Sequence, residues 1–110
     1  MTDHPAAAAA AAALIRDLAG ATRDPRDAYG SPADVASVTE SLRELARHLE
    51  DALKHLARHV DHRDDWATTD AAQPPRYASG KIRSANAQAR NTARALEQAV
   101  EALDRLRPAP

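Results

Sequence analysis

The stretch PADVASVTESLRELARHLEDALKHLARHVDH, Pro32 to His62, decides the fold. Val35, Leu42, Leu49 and Leu56 recur in it at a seven-residue interval, with Val38, Leu45 and Ala52 at the positions a helix places beside them. Leu53 and Val60 add a third apolar column, broader than a two-stranded seam needs and suited to burial in a bundle. Ser31, Pro32 and Asp34 fit an N-cap, a first-turn proline and an acidic third position. A helix over 32–63 extends on the order of 45 Å at about 1.5 Å per residue.

Working outward toward the carboxyl end, the segment 64–78 holds Trp66, two threonines, Pro74 and Pro75, and reads as the turn of a hairpin. Heptad spacing then resumes over 79–107. Ile82, Ala89, Leu96 and Leu103 form one column, Ala85, Thr92, Ala99 and Leu106 interleave with it, and Ala93 and Val100 lie alongside. Two long helices of matched length fold back antiparallel at a shallow crossing angle, and Ala85, Ala89 and Ala93 permit close approach. Pro108 and Pro110 end the second of them.

Toward the amino end, Ala21 to Ser31 carries Gly, Pro, Asp and Arg without an apolar period, which predicts a loop over 20–31. Before it, Pro5 and the run Ala6 to Ala13 predict a helix over 5–19, with Gly20 as its stop. Its large apolar residues, Leu14, Ile15 and Leu18, cluster at the carboxyl end. Asp3 and His4 stand where a signal peptide needs a basic region, and Arg16 and Asp17 interrupt the run short of a membrane span, so the expected location is cytoplasmic, with no membrane partner. The fold class is all-α: one domain over 1–110, in which a long hairpin carries a shorter Ala-rich helix laid against it, with dimerisation closing a coiled-coil-like bundle.

Composition narrows the function classes. The 110 residues include only Tyr29, Trp66 and Tyr77 as aromatics and no Phe, so the core is Leu and Ala, and a second copy of the chain is a natural source of additional buried area. Fifteen Lys and Arg against 16 Asp and Glu leave a formal charge of −1, which gives no global pull toward nucleic acid or acidic membranes. Lys occurs only at 54 and 81, and with the abundance of Ala this is the bias of a high-GC bacterial genome. The absence of Cys removes disulfides, thiol catalysis and cysteine-ligated metal together.

Two side-chain sets carry some chemistry. Arg83, Arg90 and Arg94 fall within about 40° on a helical wheel and form a candidate anion-binding face, the runner-up reading being a nucleic-acid-binding accessory protein. That face lacks interleaved aromatics and a helix-turn-helix spacing, and the acids Asp61, Asp64 and Asp65 at the end of the preceding helix are placed to pair with it. His48, His55, His59 and His62 occupy an arc of about 60° beside the apolar stripe. His55, His59 and His62 are candidate metal ligands by their i, i+4 spacing, or a proton switch if they face their counterparts in a dimer. No Glu follows His55 as a metalloprotease motif requires, and a histidine at an amphipathic boundary needs no metal, so neither a metal nor a cofactor is expected.

No nucleophile elbow, glycine-rich phosphate loop or paired carboxylate in an apolar setting can be found, so the sequence predicts no enzyme and no small-molecule substrate. Trp66 and Tyr77 read as plugs at the turn end of the bundle. Over 32–107 the architecture resembles the small helical-hairpin proteins of type VII secretion, which carry a Trp-x-Gly turn between two long helices. Here the turn reads Asp65-Trp66-Ala67-Thr68 without the glycine, and Tyr29-Gly30-Ser31-Pro32-Ala33 departs from that family's Tyr-x-x-x-acid signal. The expected role is protein–protein interaction, either with a second copy as a dimer or with another helical protein. The stripe that would carry it is Val35, Leu42, Leu49 and Leu56 with Ile82, Leu96 and Leu103.

Overall fold

A computed structural model describes residues 3–63, 65–68 and 73–107. Three helices account for most of them: α1 (His4–Ala21), α2 (Pro32–Asp61) and α3 (Pro75–Leu103), with no strand among the described residues. None of these helices is long and apolar enough to cross a membrane.

Helix α1 starts where Asp3 accepts a hydrogen bond from the Ala6 amide at 3.1 Å. It does not stop at Gly20. That glycine keeps a helical backbone inside the last turn, and the helix closes at Thr22, whose Oγ1 donates to the Leu18 carbonyl at 2.8 Å. In the connecting loop, Asp24 accepts from the Arg26 amide through its side chain and from the Ala28 amide through its carbonyl, which makes a compact turn. Ser31 then caps α2, its Oγ accepting from the Asp34 amide at 3.2 Å.

Helix α2 ends at Asp61, with the His62 amide donating back to Arg58 and His59. Helix α3 begins at Pro75, four residues earlier than the spacing suggests, because a proline at the first helical position loses no intrahelical hydrogen bond. Gly80 therefore lies within the helix. The long regular spiral closes at Leu103, and the chain continues as tight turns to Leu106, whose amide donates to the Leu103 carbonyl.

Cross-helix pairs fix the relative direction of α2 and α3. Asp61 meets Arg83, Glu50 meets Arg90, and Arg47 meets Glu97, so one number falls as the other rises and the hairpin is antiparallel. Its seam consists of small residues: Ala46 and Ala57 on α2 and Ser79, Ala89 and Ala93 on α3 are buried. Leu42, Leu53, Val60, Ile82, Leu96, Val100 and Leu103 flank them, half-buried. On α3 the seam steps through Ser79, Ile82, Asn86, Ala89, Ala93, Leu96, Val100 and Leu103 in alternating threes and fours, which keeps one face toward the partner helix. The small side chains let the two backbones approach closely.

The arrangement differs from expectation in two places. Helix α1 buries no residue and makes no contact with α2 or α3, so it is not laid against its own hairpin. Ala85, expected at the close approach, is exposed, and Ser79 takes the buried position near the turn instead. The result is an extended molecule of 64 × 27 × 25 Å with a radius of gyration of 18.4 Å, against about 13 Å for a compact domain of this length.

Candidate interaction site

The hairpin has two unlike long edges. Along one lie all three ion pairs between α2 and α3. Arg83 donates to the Asp61 carboxylate, the Arg90 Nε donates to Glu50 at 2.9 Å, and Arg47 reaches Glu97 at 3.5 Å. The Arg83 guanidinium, with the Ser79 hydroxyl beside it, holds the Asp61 carboxyl below the usual carboxylate range. Within α2, Glu40 is lowered in the same way by its hydrogen bonds from Arg43, and Arg43 is correspondingly raised. Asn86, on the seam beside this edge, donates its Nδ2 hydrogen to the main-chain carbonyl of Glu50 at 2.5 Å.

The candidate anion-binding residues are therefore placed as follows. Arg83 and Arg90 are each occupied by an acid of α2, and Arg94 is exposed with no ion-pair partner among the described residues. Asp65 is held by Arg63 at 2.6 Å, which lowers its carboxyl, and Asp64 lies outside the described residues. Two of the three guanidinium groups are thus paired across the hairpin.

On the opposite edge the apolar surface continues past the seam. Leu45, Leu49 and Leu56 of α2 are 40, 45 and 51 % exposed. Val38, Leu42, Leu45, Leu49, Ala52 and Leu56 share an arc of about 80° on a helical wheel, and none of the residues in that arc from Val38 to Val60 is charged. The matching edge of α3 presents Ala85, Thr92, Leu96, Ala99 and Leu103, with Lys81 as its charge near the turn. The Lys81 ammonium lies 5.1 Å above the Tyr77 ring, which draws it toward the hairpin end. The stripe expected from the sequence is thus divided. Val35, Leu42, Ile82, Leu96 and Leu103 are half-buried along the hairpin, whereas Leu49 and Leu56 face outward.

The histidines border this leucine edge on its outer side. His55, His59 and His62 line a shallow depression of about 330 Å³ together with Arg58. Their nitrogens do not converge: His62 donates from Nδ1 to the Arg58 carbonyl at 2.8 Å, and His59 packs its ring edge-on to Trp66 with centroids 5.6 Å apart. Among the described residues, no group of three or more His, Asp or Glu side chains is arranged to hold a metal ion. At the turn end, Trp66 and Tyr77 are about half exposed and share an apolar cleft of about 270 Å³ with Val60, Pro74 and Pro75, and Arg63 stacks over the indole at 5.2 Å. They cap the hairpin end without being enclosed.

Sequence reasoning missed the Asn86 bond to Glu50 and the Arg47–Glu97 pair. A single polar residue in an otherwise apolar and small-residue seam, as Asn86 is among Ile82, Ala89 and Ala93, was the available signal for the first. An all-α hairpin with one charged edge and one leucine edge is the class of molecule these features define. No protein-family model, curated protein or solved structure matches the chain.

Proposed function

We propose that this chain is a non-enzymatic interaction module that associates with a second copy of itself through the leucine edge of the hairpin, closing a helical bundle. The observation that carries this reading is the uncharged column Leu45, Leu49 and Leu56, 40 to 51 % exposed over nearly the whole carboxyl half of α2. Scattered exposed leucines are ordinary, but a contiguous column on one helix face marks a surface meant for a partner.

Surface area supports a partner of this size. The chain exposes 8657 Å², whereas a compact monomer of 11.8 kDa exposes about 5,900 Å², an excess of about 2,700 Å². Stable two-chain interfaces bury roughly 800 Å² or more per partner. The seam adds a second reason: among the described residues its buried hydrophobic side chains are four alanines, and so small a core leaves an isolated pair of helices marginal.

The test is solution mass by size exclusion with light scattering, on the full chain and on Leu49→Glu and Leu56→Glu. A dimer that becomes a helical monomer in either variant supports the reading. A wild-type monomer at every concentration up to the millimolar range overturns it.

A further inference from the structure

Helix α1 repeats the pattern of the hairpin seam. Ala7, Ala11, Leu14, Leu18 and Ala21 step in alternating fours and threes, as the seam of α3 does, and put one uncharged face along the helix. In its own chain that face has no helix to pack on: α1 makes no contact with α2 or α3, and Leu14 is 70 % exposed, although Leu18 is half-buried near the end of the helix. A helix whose sequence prepares a seam and whose fold gives it no partner has the same unmet requirement as the leucine edge.

We propose that α1 of one copy lies along the leucine edge of the other, and reciprocally, so that two chains exchange their amino-terminal helices. This rests on the self-association proposed above and names the segment that covers the edge. Three observations bear on this exchange: the first favours a second copy over α1 turning back on its own hairpin, and the other two show that α1 is large enough to cover the edge. The connecting loop is compact, with Asp24 closing its own turn, and Pro25 and Tyr29 border a cleft of about 460 Å³ together with Leu103 and Leu106. This fixes the point where α1 leaves the molecule at the open end of the hairpin, and from there α1 runs clear of α2 and α3. Second, the lengths agree: 18 residues of helix extend about 27 Å, enough to cover the Leu45 to Leu56 column of about 17 Å with the Ala half to spare. Third, the excess surface of about 2,700 Å² per chain is large for one hairpin edge alone and fits an interface that also buries a whole free helix. Two reciprocal contacts of this kind form a closed two-fold assembly, and exchange of a terminal element is a low-cost route to one.

The chain has no Cys, so introduced thiols report without background. Full-length Leu14→Cys and full-length Leu49→Cys proteins are mixed and treated with a short bismaleimide, and the Leu14→Cys/Leu49→Cys double variant is treated alone. The expected result is a covalent heterodimer in the mixture and inter-chain products from the double variant. Linkage within single chains of the double variant shows that α1 covers its own hairpin and overturns the exchange. Linkage of Leu49→Cys to itself without linkage to Leu14→Cys shows that leucine edges meet directly, which overturns the exchange and leaves self-association standing. A wild-type monomer by light scattering overturns both. In a second measurement, Leu14→Asp is expected to weaken dimer affinity on the order of tenfold or more while leaving hairpin helicity by circular dichroism unchanged; unchanged affinity overturns the proposal.

Discussion

Asn86 of α3 donates from its side chain to the main-chain carbonyl of Glu50 on α2, 2.5 Å away, midway along the hairpin. The same residue's carboxylate receives Arg90, one helical turn further along α3. Glu50 is thus gripped twice, at backbone and side chain, by two residues four apart on the facing helix. Together these contacts favour one register, because sliding α3 by one heptad would take Asn86 away from Glu50 and at the same time part Arg90 from Glu50 and Arg83 from Asp61.

Replacing Asn86 by Ala removes that lock without leaving an orphan, since the Glu50 carbonyl keeps its bond within the helix. We expect a loss of about 1 kcal/mol, read as a lower urea midpoint at fixed protein concentration. Asn86→Leu should recover or exceed the wild-type midpoint, while broadening the amide cross-peaks of residues 42–57 as alternative registers become populated. A sharp, single set of peaks in Asn86→Leu would show that register is set elsewhere.

Acid should loosen the turn end of the hairpin. The carboxyls of Asp61 and Asp65, both at that end, are held below their ordinary range, first by the hydrogen bonds from Arg83 and Arg63. A group depressed in the folded state contributes stability that is complete above its unfolded value, near pH 4, and is lost as pH falls through the lower folded value. The melting temperature should therefore drop from about pH 4 downward, and Asp61→Asn should flatten part of that fall. Both carboxyls sit at the surface, so 1 M salt should shrink the difference between the wild type and the variant.

How far the fold can be read from residues alone follows from where the information resides. The helices of the hairpin are announced by threes and fours, by Ser31 and Pro32 at one start and by Pro75 at the other, all local features. Which face of α2 meets α3 is a different question. Columns led by Val35, Val38 and Thr39 lie side by side, each repeating every seven residues, and spacing alone ranks the leucine-rich ones first. The molecule places Ala46, Leu53, Ala57 and Val60 in the seam instead, because small residues opposite Ala89 and Ala93 allow close backbones and because that rotation brings Glu50 and Asp61 to Arg90 and Arg83. Both reasons are relations between helices, so neither is visible in α2 by itself. The arginine face was legible as a set, and its neutralisation by Asp61 was legible too; Glu50 as the partner of Arg90 was not, since it lies 40 residues away.

Close approach at the seam predicts intolerance of larger side chains. Ala57 is fully buried against α3 near the turn, and Ser79 across from it is equally buried. Ala57→Leu must push the helices apart there, at a cost of about 1 to 3 kcal/mol. The Arg83–Asp61 pair next to it should loosen as a consequence. Thermal unfolding by circular dichroism reads the loss, and a parallel Ser37→Leu on the exposed outer face of the same helix, away from both the seam and the leucine edge, should show none of it. Equal loss in both would place the α2–α3 contact on a different face from the one described.

Gly80 supplies the converse case, a residue whose replacement should help. It lies six positions into α3, with a negative φ and no atom within 4 Å of where a Cβ would stand. Nothing in the packing requires its small size, and it is exposed, so it serves neither the seam nor a turn. In that setting its main effect is on the unfolded chain, to which it lends conformations that must be given up on folding. Gly80→Ala should therefore stabilise by roughly 0.5 to 1 kcal/mol, visible as a higher urea midpoint with an unchanged slope. The neighbouring Ser79→Leu makes the control: one residue away, on the buried side, the same attempt to improve helix propensity should destabilise because it overfills the seam. If Gly80→Ala also destabilised, the glycine would have to be making room for a partner helix against this part of α3, which would extend the interface beyond the leucine edge toward the turn.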